Sequence, residues 1–161
     1  MQPIEISIED LKDITARIPV LLKDRKIEPK ENLEPGEWTS RELLGHLIDS
    51  ASNNHLRFVN AIVTGEVHLP SYEQEKWVMS QGWDDEPWER LVVLWENYNL
   101  HLVHLLGRIP EDKLNVLCYI GKNPPMTLQD LVVDYLDHLK HHLKDLAPEF
   151  TPTRPSGYTP S

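Results

Sequence analysis

Residues 38–58 read WTSRELLGHLIDSASNNHLRF, and they carry most of the marks of an amphipathic helix. A turn at Pro35 and Gly36 precedes them, Thr39 is an N-cap, and Glu42 stands three residues later, where it closes a capping box. Trp38 is placed to staple onto Leu43, so the helix is predicted over about residues 40–63, ending before Gly65. Its apolar centre is Leu43, Leu47, Ala51, Phe58 and Ile62. Along one flank of that centre runs a polar line at helical spacing, His46, Ser50, Asn53 and Arg57. A polar line beside an apolar one is either the wall of a cleft or a solvated face.

Working outward, the same start signals recur at MTLQDLVVDYLDHLKHHLKDL. Thr127 caps, Asp130 closes the box, Met126 staples to Leu131, and Pro148 stops a helix that runs to about residue 146. Between these two lies DDEPWERLVVLWENYNLHLVHLLGRIP, which an Asp cap and Pro87 open and Gly107 and Pro110 close. Trp88, Leu91, Trp95, Tyr98, Leu102 and Leu106 form its single apolar stripe. A first helix is predicted over 7–25 with Ser7 as cap and Leu11, Ile14, Ile18, Leu21 and Leu22 inward, kinked or split at Pro19. Four amphipathic helices and no alternating β-branched run predict an all-α fold, an antiparallel four-helix bundle over residues 1–147. The connection 64–83, between the second and third helices, is long and carries Pro70, Tyr72 and Trp77, so it should pack over one end of the bundle. The proline-rich tail 148–161 is expected to be disordered or laid extended across its neighbours.

Composition limits the partners. The chain has 161 residues, 40% hydrophobic and 26% charged, which suits one globular domain. With 26 acidic against 16 basic residues the net charge is −10, which repels phosphate backbones, so nucleic acid is not an expected partner. The acidic start and the lack of any run near ~18 apolar residues give no membrane span and a cytoplasmic expectation. Cys118 is the only cysteine, so there is no internal disulfide and no thiolate cluster, and metal ligands must be nitrogen or oxygen. No basic residue except Lys122 lies beside Cys118, and an inert thiol is expected. Nucleophile-elbow, phosphate-loop and dinucleotide motifs are absent from the sequence.

That leaves the eight histidines. At about 100° per residue, Leu128, Leu131, Val132, Tyr135, Leu139, Leu143 and Leu146 share one face of the last helix. His142 lies inside that stripe, His138 lies one turn earlier at its edge, and His141 points toward the polar side. Two imidazoles spaced i and i+4 can share a metal ion. If the polar flank of the 40–63 helix faces this pair, His46 is the third nitrogen of a set that zinc or nickel accepts with a position left open. On spacing alone, solvated or hydrogen-bonded histidines fit as well, and both readings stand at this point. His101 and His104 read as surface residues, and His55 and His68 lack a partner at ligand spacing.

The segment WTSRELLGHLIDSASNNHLRF, followed far downstream by TLQDLVVDYLDHLKHHL and preceded by IPVLL and PGEW, resembles the DinB superfamily, especially its YfiT-like branch, over about residues 10–147. The resemblance implies a four-helix bundle binding one divalent metal, nickel or zinc, on residues that fall at His46, His138 and His142. It also implies a homodimer, which Tyr72, Trp77 and Trp83 would join if exposed. Members of the superfamily include metal-dependent transferases of low-molecular-weight thiols, a thiol-dependent isomerase and proteins labelled metal-dependent hydrolases. The expected function is metal-dependent transfer of such a thiol, as cosubstrate, to a small electrophile. The alternatives are metal-dependent hydrolysis and a non-catalytic binding module. Three neutral ligands leave the metal its full charge to acidify water or a thiol. In either reaction Arg57 and Asn53 are expected to steer an anionic small-molecule substrate, and Asp49 or Asp134 to orient a ligand imidazole.

Overall fold

The computed structural model describes residues 1–27, 30 and 33–157. Helix α1 runs Pro3–Leu22, α2 Ser40–Thr64, α3 Gln74–Gln81, α4 Trp88–Leu106 and α5 Leu128–Leu146. Three short strands accompany them, β1 Val67–Leu69, β2 Leu117–Ile120 and β3 Met126–Thr127.

The caps of α2 form as its sequence requires. Thr39 accepts from the Glu42 amide at 3.0 Å, and the Glu42 carboxylate accepts from the Thr39 amide at 3.0 Å. Gly65 ends the helix with φ +80°, a left-handed conformation that glycine adopts without a Cβ penalty. Thr127 caps α5 by accepting from the Asp130 amide at 3.1 Å. Helix α1 starts four residues before the expected Ser7, because Gln2 donates its amide to Glu5 at 2.8 Å and leaves Ser7 buried within the helix. Pro19 neither splits nor ends it. It lies in the last turn, where its missing amide deprives only one carbonyl of a partner.

In the bundle α1 packs chiefly against α4 and α5, and α2 against the same two helices. The core is the inward stripe of each, with Leu11, Ile18, Phe58, Trp95, Leu102, Leu139 and Leu143 almost wholly buried. The up-and-down antiparallel arrangement expected from the sequence does not hold throughout. Asp10 meets Lys140 and Arg25 reaches the Leu146 carbonyl, so α1 and α5 run parallel. Thr39 bonds Asp84 just ahead of α4, and His55 bonds Tyr98 further along, so α2 and α4 run parallel as well. Parallel neighbours joined in sequence need a crossover, which is the physical reason the α2–α4 connection is long.

That crossover is not plain loop, and the all-α expectation is corrected here. It holds β1 and α3, and β1 pairs in parallel with β2, which pairs antiparallel with β3. Each strand is too short to show a period of two, and their pairing is non-local, so local patterning did not reveal the sheet. Helix α3 and the single turn Trp83–Asp85 lie over the outer side of α2, and as a result every residue from Leu44 to Ala51 is buried. Trp83, expected to be exposed, is 5% exposed and rests directly on Gly45, while Trp77 stays 39% exposed.

After α5 the chain lies along the bundle as far as the described residues extend. Phe150 is buried beneath the Arg17 guanidinium, which stands 4.5 Å from its ring centroid. Arg154 pairs with Asp10, which also holds the buried Lys140 at 2.6 Å, and Ser156 donates to the Asp137 carbonyl at 2.7 Å. Residues 158–161 of the tail lie outside the described residues. Among the described residues, no helix is long and apolar enough to cross a membrane.

Candidate metal centre

Helix α2 carries His46 to the point where the C-terminal half of α5 passes it, and α5 presents His138 and His142 from successive turns. The three Nε2 atoms converge. His46 Nε2 lies 3.2 Å from His138 Nε2, which lies 3.1 Å from His142 Nε2. Tetrahedral coordination at about 2.0–2.1 Å places ligand nitrogens roughly 3.3 Å apart, so each of these two separations suits a shared ion, and all three ligand atoms lie within 4.8 Å of one another. Among the described residues, these are the group of donor side chains close enough together to hold a metal ion.

The electrostatics suit a cation as well. Burial, and then the neighbouring His138 and His142, depress His46 to about 3. His138 falls to about 4 through burial and then through His142 and His141. His142 is lowered too, by burial first, with Asp145 opposing. All three imidazoles are therefore neutral at physiological pH, which is the form that ligates. Nitrogen lone pairs gathered this closely around one point repel each other unless a proton or a metal ion lies between them. His46 is completely buried, and the Trp38 ring covers it at a centroid distance of 4.9 Å. Among the described residues its Nδ1 has no hydrogen-bond partner. Ser50 Oγ stands 3.4 Å from His138 Nδ1 and supports the far side of that ring.

From the triad a cleft of about 540 Å³ opens between α2, α5 and the crossover, with His138, Ser50, Tyr72, Arg57 and Asp134 in its walls. A second hollow of about 630 Å³ adjoins it and shares Arg57, Ser71 and Tyr72. Among the described residues three protein donors meet at the nitrogen cluster, fewer than the four of a closed tetrahedral site, and one of them, His138, also lines this cleft.

The profile of the DinB superfamily matches residues 8–146. This chain belongs to the DinB superfamily. Its similarity to curated proteins extends over the same region. It is 25% identical over 151 residues to a "putative metal-dependent hydrolase" of Oceanobacillus iheyensis, covering 88% of this chain and 86% of the relative. It is 29% identical over 142 residues to a protein of the same description from Bacillus cereus strain AH820, covering 86% and 80%. Among solved structures it resembles YfiT from Bacillus subtilis, described as a probable metal-dependent hydrolase with an unusual four-helix bundle topology. The TM-score is 0.74 at 18% identity, covering 90% of this chain and 84% of YfiT. At that identity the likeness speaks for the shared YfiT-like fold.

The other residues that the sequence singled out are dispersed around the three histidines. Arg57 stands between the two hollows, half-buried, with burial lowering its pKa against the pull of Tyr72 and Asp134. Asn53 faces the second hollow and donates to the Asp49 carbonyl at 2.9 Å, and Asn54 takes the place in the cleft wall. Asp49 does not reach a ligand imidazole. It is turned beneath α3, where Oδ1 accepts from Gln81 at 2.8 Å, and burial raises its carboxyl despite Gln81 and Trp83. Asp134 lies in the cleft wall one turn before His138, raised by desolvation and by Asp137, with Arg57 opposing. Cys118 is buried and its thiol is pushed up by burial. His101 and His104 are exposed, and His55 Nδ1 is 2.9 Å from the Tyr98 hydroxyl.

Tyr72, placed by the sequence in the long connection and among the aromatics that would join a homodimer if exposed, lines the cleft. Burial first, then Asp49, push its phenol up to about 12, so it remains protonated. Nothing in its local sequence signals this placement. Asn54 was readable: it lies in line with His46 and Ser50 at steps of four, and choosing between it and Asn53 requires helical phase to within one residue.

Proposed function

We propose that this protein is a divalent-metal-dependent hydrolase of small molecules, with His46, His138 and His142 holding zinc or nickel. The observation that carries the reading is the meeting of three neutral imidazoles, with His138 Nε2 3.2 Å and 3.1 Å from the Nε2 atoms of His46 and His142, at the edge of an open cleft. The names of the relatives support the same class of activity. A divalent ion in such a site would supply a Lewis acid that lowers the pKa of a coordinated water, toward about 7 on zinc, and would deprotonate a coordinated thiol. The protein's own groups do the rest. Ser50 sets the orientation of His138, and the Trp38 ring keeps water from His46. The protonated Tyr72 phenol is a hydrogen-bond donor facing the cleft, suited to the oxygen of an ester, amide or lactone as charge develops there.

A second reading, transfer of a low-molecular-weight thiol to an electrophile, is favoured by one specific feature: the two adjoining hollows give room for two ligands side by side. In either reaction the nucleophile comes from outside the chain, since Cys118 is buried with a raised pKa. Elemental analysis of purified protein followed by a panel of ester, amide and lactone substrates, with and without an added thiol, separates the readings. Chelator-sensitive turnover without thiol supports hydrolysis, and turnover that requires thiol replaces it with transfer. Metal-free protein with full activity would refute both.

A further inference from the structure

Arg57 is in an unusual electrostatic position. Its guanidinium is half-buried in the wall between the two hollows, and burial is the main influence on its pKa. Among the described residues it makes no ion pair, and its hydrogen bond is a long one, to Asn54 Oδ1 at 3.4 Å. The Tyr72 ring lies beneath it at 5.9 Å from the centroid and holds it in place without neutralising it. A guanidinium drawn out of water without an anionic partner is costly unless a ligand supplies one, and its planar fork matches a carboxylate. The same cleft has an apolar wall made by Ile120, Pro124 and Met126, and His138 lines it too.

We propose that the substrate is a small monocarboxylate, its carboxylate held by Arg57, its apolar body against Ile120, Pro124 and Met126, and its reacting carbon turned toward the histidine triad. The inference rests on the reading of that triad as the reactive centre. Charge decides between a carboxylate and a phosphate. Away from the triad Arg57 is the cation of this wall, and its one positive charge balances a monocarboxylate but only half of a phosphate dianion.

The test is a titration of zinc-loaded, ¹⁵N-labelled protein with butyrate, with its uncharged analogue butyramide and with inorganic phosphate, followed by NMR at the Arg57 Nε–Hε and at Ile120 and Met126. Metal-free protein is titrated in parallel, so that carboxylate bound to the zinc itself is recognised. Butyrate should bind saturably in both forms and move these signals. Butyramide, and butyrate with the Arg57→Gln variant, should each bind about tenfold more weakly or worse. Absence of saturable butyrate binding, a loss of less than tenfold in either comparison, or tighter binding of phosphate than of butyrate to the metal-free protein would overturn the proposal. The zinc content of the wild type and of Arg57→Gln keeps the two readings apart. Full zinc without carboxylate selectivity refutes the substrate class alone, and carboxylate selectivity without zinc refutes the metal reading alone.

Discussion

Replacing Gly45 with alanine should destabilise the protein, against the intrinsic preference of a helix. In a solvent-facing helix the change gains about 1 kcal/mol, because alanine is the better helix former. Here a Cβ at position 45 would lie 2.3 Å from Trp83 Cγ and 2.4 Å from Cδ1 and Cδ2. Carbon atoms rest at about 3.5–4.0 Å, so the indole must withdraw by more than about 1 Å from a position where it is 5% exposed. Overpacking of this kind costs about 1–3 kcal/mol, and for a chain of 161 residues each kcal/mol lowers Tm by about 2–4 °C. Urea and thermal unfolding of Gly45→Ala should show that loss. The decisive measurement is the same substitution in a Trp83→Ala background. With the ring gone, Gly45→Ala should become neutral or stabilising, giving a coupling with a change of sign. An equal loss in both backgrounds, or none in the wild type, would refute the packing of the crossover on α2.

His46→Ala, His138→Ala and His142→Ala should each remove most of the bound metal, whereas His101→Ala, His104→Ala and His141→Ala should retain it by elemental analysis. Metal-free protein should be acid-sensitive, as measured by urea midpoints between pH 7.5 and 5. In the unfolded chain imidazoles titrate near 6.5, while folded His46 and His138 wait until about 3 and 4, so below 6.5 the unfolded state binds more protons. Stability is thus full above about pH 6.5 and declines as pH falls, by about 2 kcal/mol for each of the two groups at pH 5, and a flat profile would refute their burial. Asp10→Ala should cost about 3–5 kcal/mol by chemical denaturation, since it leaves Lys140, 6% exposed, without its 2.6 Å partner. Cys118→Ser should leave metal content and turnover in place, and loss of turnover with metal retained would make the thiol a participant.

How much of this was legible follows from the range of the forces involved. The helices α2, α4 and α5 were readable because caps, staples and apolar stripes are written within four residues of one another: Thr39 with Glu42, Trp88 with Leu91 and Trp95, Leu139 with Leu143. His138 and His142 were a readable pair for the same reason, being one turn apart on one helix. That His46 meets them depends on α2 lying beside α5, which local periodicity suggested as one of two readings and only packing brought about. The parallel pairing of α1 with α5 and of α2 with α4, the strand β1 laid on β2, and Trp83 turned inward onto Gly45 have no local signature, because each joins residues far apart in sequence through contacts that exist only once the bundle has closed. Tyr72 beside Arg57 belongs with them, whereas Asn54 in the cleft follows from its step of four after His46 and Ser50. The sequence determined which side chains each helix presents on a face. Tertiary structure decided which faces meet, and so which of the polar groups share one cleft.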